Sequence, residues 1–330
     1  MPIPAARMDT GVIASTFTSP VILFFVLGFA AALLRSELAV PEAVAKALSL
    51  YLMAAIGLKG GVAVAQSGIG GDVAAALGAG FALSLLLPVA AYAALRGFAR
   101  LDKVNAGAVA AHYGSVSVVT FVTASEVLQG VGLIPAGYMV AVLAVMETPA
   151  ILSGLLLARG AIGAGAGERR EMAREVFLNA SVVLLLGSFA IGAIAGPEGF
   201  EDVRPLFDTG FKGVLCLFLL DMGLIAARRL IASRALNWRL IVLAILLPLV
   251  NGTIGTLVGH AIGLDPGSTA AFGVLCASAS YIAVPAAMRL SLPEADPGIY
   301  LTMSLSVTFP FNILVGIGIF AALARALAGG

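Results

Sequence analysis

Two stretches of this sequence set small and polar residues into apolar surroundings: HYGSVSVVT (112–120) and SASYIAVP (278–285). A helix that breaks at such a stretch frees backbone N–H groups. Two helix starts facing one another then present N–H donors and positive partial charge, a setting that suits an anion. Ser115, Ser117 and Thr120 add hydroxyl donors from the first stretch, and Ser278, Ser280 and Tyr281 from the second. The same hydroxyl oxygens and unwound carbonyls suit a small hard cation such as sodium, so one pocket could hold both ions. Small residues with Ser and Thr also let helices pack closely and bond across interfaces. One stretch alone favours that packing reading; two in equivalent places favour a site.

The elements that must position these stretches are membrane helices. Of 330 residues 60% are hydrophobic and 11% charged, with mean hydropathy +1.06, against about 25% charged in soluble domains. A spanning helix needs roughly 20 apolar residues. Ten runs qualify, at 20–34, 43–65, 73–95, 104–127, 136–158, 176–195, 206–227, 238–262, 269–290 and 298–324. Period-two alternation is missing, which argues against a barrel. The expected fold is an all-α integral membrane protein of ten transmembrane helices. The run 20–34 reads as a retained span, since no convincing A-x-A cleavage site follows. Cys216 and Cys276 fall inside spans and suggest no disulfide framework.

Lys and Arg crowd the connections after odd-numbered spans, among them Arg96, Arg100, Lys103, Arg169, Arg170, Arg174, Arg228, Arg229 and Arg234; after even-numbered spans stand Arg204 and Lys212. By the positive-inside rule both termini lie outside the cytoplasm, in a plasma (inner) membrane. The net charge of +1 gives no hint of a nucleic-acid partner.

The connecting loop 159–175 divides the chain into repeats at 1–158 and 176–330. Five spans per half require the second to be inverted. LMAAIGLKGG (52–61) resembles FLLDMGLIAA (218–227), and His112 lies 55 residues after Gly57 as Ser278 lies 55 after Gly223. Broken helices in spans 4 and 9 of two inverted five-helix repeats point to a transporter binding site.

The chain resembles the SbtA-type sodium-dependent bicarbonate permeases, most strongly over VPEAVAKALSLYLMAAIGLKGG (40–61), FDTGFKGVL (207–215), METPA (146–150) and FGVLCASASYIAVPAAMRLSLPEADPGIY (272–300). The resemblance implies bicarbonate and sodium held between the two breaks, a core that moves against a scaffold, and a trimer. The first stretch keeps Gly114, Val116, Ser117 and Thr120 of the family-like F-G-A-V-S-G-S-T, with Ser115 for its alanine and Val118 and Val119 for a glycine and a serine. The second resembles S-S-S-D-I-S-G-P and keeps Ser278, Ser280, Ile282 and Pro285. Ala279, Tyr281, Ala283 and Val284 depart from it, and Tyr281 stands where the family has an aspartate, which removes the obvious charged sodium ligand. The substrate-binding set is therefore Gly114, Ser115, Val116, Ser117, Thr120, Ser278, Ala279, Ser280 and Tyr281. The central loop is shorter than the family's usual one, so the family's small regulatory protein is not expected as a partner.

Ionisable groups inside spans are functional candidates by default. Lys59 and Asp221 hold nearly equivalent places and could pair, although Lys59 reads better as snorkelling outward. Glu147, at an acidic position of the family, joins Ser278, Ser280, Ser304 and Thr308 as cation-binding candidates. Ser304, Ser306, Thr308 and Asn312 share one strip of the tenth span by helical spacing. His112 is a proton-coupling candidate, and His260 is expected to be exposed.

The leading expectation is a symporter of bicarbonate or a similar small monovalent anion, coupled to sodium, which is cargo, with no cofactor. The alternative keeps the fold and moves a small organic anion, coupled to protons or uncoupled. An intramembrane enzyme, using Ser117 with His112 or Glu147 with Asp221, lacks H-E-x-x-H, G-x-S-x-G and any nucleotide-binding loop. A channel is the remaining alternative, and the inverted repeat argues only mildly against it.

Overall fold

The computed structural model describes residues 18–67, 70–159, 180–233 and 236–329; among these the regular elements are helices, with no strand. The first half contains α1 (Pro20–Leu33), α2 (Glu42–Ser67), α3 (Gly71–Gly97), α4 (Lys103–Gly114), α5 (Val118–Gly130) and α6 (Met139–Arg159). The second contains α7 (Ala180–Glu201), α8 (Phe211–Ala232), α9 (Trp238–Ala261), α10 (Pro266–Ala277), α11 (Ala283–Ser291) and α12 (Pro297–Ala328). The expected leader, most of the loop 159–175, residues 176–179 of the sixth span and Arg234 lie outside the described residues.

Among the described residues seven helices are long and apolar enough to cross a membrane, with α4 and α5 counted together, against ten spans read from the sequence. The difference has physical causes. α1 has 14 residues. α10 and α11 divide one apolar run into 12 and nine residues. α8 has the length, at 22 residues, but carries Lys212, Asp221, Arg228 and Arg229. With those apolar helices the chain is an integral membrane protein.

Asx caps start the helices that matter for the site. Asp102 accepts the Asn105 N–H at 2.9 Å, Asp265 that of Ser268 at 3.0 Å, and Asn237 those of Arg239 and Leu240. Each satisfies an N–H group that the first turn leaves open. Asn105 also donates its amide to Asp102 at 2.6 Å and accepts the Asp296 N–H at 2.8 Å, which ties the start of α4 to the start of α12.

Prolines interrupt α3, α6 and α9 at Pro88, Pro149 and Pro248. A proline leaves the carbonyl four residues back without its helical donor, and hydroxyls from neighbouring helices serve the bends at Pro149 and Pro248. Thr308 donates to the freed Ala244 carbonyl at 2.6 Å. Ser84 donates to the Met146 carbonyl at 2.6 Å and accepts the Ala150 N–H at 3.1 Å, bridging α3 into the bend of α6. In α12 the turns at Thr302–Thr308 and Asn312–Gly316 are π-wound around Pro310. The residues expected on a plain α-helical strip are thus on a wider coil, where Ser304, Ser306, Thr308 and Asn312 are all buried.

Two packed groups result. α1 lies on α8 and α2 on α7, and these four form one group; α3 to α6 and α9 to α12 form the other. Glycines set the first group's spacing. A Cβ on Gly57 would stand 2.5 Å from the Leu185 carbonyl oxygen, and one on Gly223 would collide with the Phe25 carbonyl. Gly223→Ala is therefore expected to cost roughly 3 kcal/mol, the upper end for overpacking. Gly213→Ala, on the same helix with open space around it, is neutral or stabilising by up to about 1 kcal/mol. Thermal midpoints of the two variants in detergent check the contrast.

Candidate functional site

Helix α4 stops at Gly114 because the chain turns extended: Ser115 has φ −86°, ψ 168° and Ser117 has φ −110°, ψ 113°, after which α5 begins. Gly114 is needed there, since a Cβ would collide with the ring of Pro88 in α3. α10 stops in the same manner at Ala277, where Ser278 has φ −74°, ψ 158°, and α11 begins five residues on at Ala283.

The two junctions bond directly to each other. The Ser117 N–H donates to the Ser278 hydroxyl at 3.0 Å, and the Ser280 N–H donates to the His112 carbonyl at 2.9 Å. Ser278 passes its own proton to the Leu275 carbonyl at 2.7 Å. Ser117 and Ser280 cap the helices that follow, accepting the N–H groups of Thr120 at 3.2 Å and Val284 at 3.4 Å. Matching amides close the helix ends that precede: Asn251 donates to the Tyr113 carbonyl at 3.2 Å and Asn312 to the Ala277 carbonyl at 2.8 Å. All nine expected substrate-binding residues are buried around this crossing.

The cation candidates are more dispersed. Ser278 and Ser280 sit at the crossing. Glu147 touches the first junction through its carbonyl, which accepts the Ser115 hydroxyl at 3.2 Å. Thr308 spends its proton on Ala244, so the 2.7 Å contact with Tyr113 has the phenol as donor. Ser304 bonds back within its own helix, to the Tyr300 carbonyl at 2.7 Å. Among the described residues no hydrogen bond joins Glu147, Ser304 and Thr308 to one another, and no three His, Cys, Asp or Glu side chains are grouped to share a metal ion.

Lys59 does not pair with Asp221. Its ammonium lies 2.8 Å from Asp208, over the Phe211 ring at 4.9 Å, because a half-exposed carboxylate is met without desolvating either charge. Nor do Ser117 and His112 form a hydrolase-like pair. The His112 Nδ1–H donates to the Ala108 carbonyl at 2.6 Å, its ring stacks on Tyr300 with centroids 4.6 Å apart, and the Ser117 oxygen is taken by Thr120. His260 is exposed, as expected.

Several buried polar atoms around the crossing have no hydrogen-bond partner among the described residues: His112 Nε2, Glu147 Oε2, Ser306 Oγ and Asn312 Oδ1. Leaving such an atom unpaired in a bundle costs about 1–3 kcal/mol. Tyr281 meets Phe309 edge-on at 5.3 Å, and Phe309 meets Phe25 of α1 at 5.5 Å. An aromatic stack thus occupies the position that the resemblance assigns to a carboxylate.

The family model of the Na+-dependent bicarbonate transporter superfamily matches residues 20–325. The chain belongs to that superfamily. Among curated proteins none matches it. Within this superfamily member, four residues that matter to the crossing escaped sequence reasoning: Ser84, Tyr113, Asn251 and Tyr300. Asn251 carried a usable signal, a lone amide in the apolar run LLPLVNGTIG (246–255), because a polar group at that depth needs a partner.

The crossing predicts its own weak point. Ser278→Ala leaves the Ser117 N–H without its acceptor and is expected to cost about 1–3 kcal/mol. Ser117→Ala, which removes one cap, is expected to cost about 1 kcal/mol. Detergent-phase melting of the two single variants and the double checks the coupling: the double should cost less than the sum, since Ser278 and Ser117 serve one junction.

Proposed function

We propose that this protein is a secondary active transporter, a symporter of bicarbonate or a similar small monovalent anion with sodium as the coupled cargo. The observation that carries the reading is the direct bonding of the two junctions, Ser117 N–H to Ser278 and Ser280 N–H to the His112 carbonyl. Four helix ends converge there, and amides of the first turns of α5 and α11 are the donors available to an anion.

We read the fold as ten spans in two inverted five-helix repeats, 1–158 and 176–330 about the loop 159–175, with α4–α5 and α10–α11 as broken helices. Support comes from the packing: α1 on α8 and α2 on α7 exchange partners between halves, while Asn251 and Asn312 do the same service at the two junctions. Alternating access follows if α3–α6 with α9–α12 shift as one body against α1, α2, α7 and α8. The protein belongs in the plasma membrane with both termini outside, as a homo-oligomer; a trimer is what the resemblance implies.

The family supports bicarbonate and sodium as the cargo. A second reading, proton coupling, is favoured by one specific observation: His112 keeps a buried Nε2 without a partner, while Tyr281 takes the place expected of a carboxylate. Uptake of labelled bicarbonate into proteoliposomes separates the readings. An inward sodium gradient should raise the initial rate. Uptake that ignores sodium but follows an imposed pH gradient, and loses that dependence in His112→Gln, would replace the first reading with the second. A Tyr281→Asp variant, checked for monodispersity, should steepen the sodium dependence; an unchanged dependence would place the cation elsewhere.

A further inference from the structure

Two cavities lie along the seam between the two helix groups, lined by successive turns of the same helices. The inner one, about 10 Å3 and so with room for a single water, is bounded by Leu52 and Met53 of α2, Val118 and Val119 of α5, Phe218 of α8 and Ile282. It sits where α5 and α11 begin. The second, about 180 Å3 and half open, is lined by Lys59 and Gly60 of α2, Ser125, Glu126 and Gln129 of α5, and Phe211 of α8. The same three helices wall both. Ile56 and Phe121 line the larger cleft, and each stands one helical turn from the walls of the inner cavity, Ile56 from Leu52 and Phe121 from Val118. Both side chains are buried, Phe121 at 2% exposure.

The charges on this cleft are arranged across and along the seam. Lys59 faces it while held by Asp208, both from the same helix group. Lys212 at the start of α8 reaches across to Glu126 of α5 at 3.7 Å, from one group to the other. Neither lysine is deeply buried, so each ammonium can exchange its carboxylate for another anion at little cost, as pairs near solvent do.

We propose that the 180 Å3 cleft is the vestibule through which the anion reaches the helix junctions, with Ile56 and Phe121 as the plug between the two chambers and Lys59 as the cation that receives the anion. The proposal rests on the transport reading for its cargo. Its geometry, however, is testable without transport. By the charge asymmetry of the loops the vestibule opens away from the cytoplasm.

The test is thiol chemistry from one side of the membrane. Cys216 and Cys276 are replaced by alanine, and single cysteines are placed at Gln129, in the vestibule, and Val119, behind the plug. If the cysteine-free chain fails to insert, the native background serves, because both of its thiols are buried. A membrane-impermeant, negatively charged thiosulfonate applied outside should modify Gln129→Cys rapidly and Val119→Cys slowly. Adding Phe121→Ala should speed the Val119→Cys reaction several-fold and leave Gln129→Cys unchanged. Lys59→Gln should lower the rate at Gln129→Cys for the anionic reagent relative to a cationic one by about tenfold, the low end of what a charge focused in a cleft does to local ion concentration. Bicarbonate should slow the anionic reagent at Gln129→Cys in the Lys59 protein and not in Lys59→Gln. A Gln129→Cys thiol that reacts only from the cytoplasmic side, or a Val119→Cys rate indifferent to Phe121, overturns the vestibule even if proteoliposomes take up bicarbonate. The expected labelling pattern in a protein that moves no bicarbonate upholds the vestibule and removes the cargo.

Discussion

The structure depends on one constraint: backbone N–H and C=O groups freed in the middle of an apolar bundle have no water to turn to. This chain meets the constraint by using each junction to satisfy the other. The Ser117 N–H donates from the first junction into the second, and the Ser280 N–H donates from the second into the first. An extended segment placed alone at that depth would leave several groups unpaired, each at about 1–3 kcal/mol. Two placed face to face cancel much of that cost and hold four helix ends at one point. The pairing makes the crossing a rigid feature, and a rigid feature can position donors for an ion.

The surrounding helices extend the same logic. Two of the proline bends are met by a side chain from a neighbour, Thr308 at Ala244 and Ser84 at Met146, while Asn251 and Asn312 close the ends of α4 and α10. Such bonds run between α3 and α6, α9 and α12, α4 and α9, and α10 and α12. They bind the core helices into one body. Tyr113 connects two of these repairs, since its phenol donates to Thr308, the residue that repairs the bend at Pro248.

The polar stretches, their place between helices and their equivalent spacing from Gly57 and Gly223 were legible as a pattern, because intramembrane serines and glycines stand out against an apolar background. The helix ends at Gly114 and Ala277 follow from the same residues. What the sequence could not reveal is which hydroxyl is already committed. Ser304 and Thr308 look alike as ligands in one dimension, yet one bonds within its own helix and the other repairs a proline bend across the core. Lys59 was ambiguous for a similar reason: its partner Asp208 is 149 residues away and lies in a turn that hydropathy reads as part of a span. The short apolar helices α1 and α10 also show that an apolar run and a single long helix are different things.

Contrast at the boundary between the two helix groups explains where motion can occur. The hydrogen bonds named above fall inside one group or the other, whereas across the seam the described residues carry the ion pair Lys212–Glu126 and the edge-on contact of Phe25 with Phe309. Gly60 of α2 faces Gly137, before α6, so closely that a Cβ on Gly137 would stand 2.6 Å from the Gly60 carbonyl oxygen. The side chains of Val140 and Ala63 fill the space beside these two glycines. The inner cavity is walled by Leu52, Met53, Val118, Val119 and Phe218, and dispersion between such groups is non-directional, so a shift along the seam exchanges one set of contacts for a similar set. A displacement through the core would instead break the bonds at both junctions together. In the alternating-access reading, the body that holds the crossing would move whole, with the contacts of the seam as the ones that change.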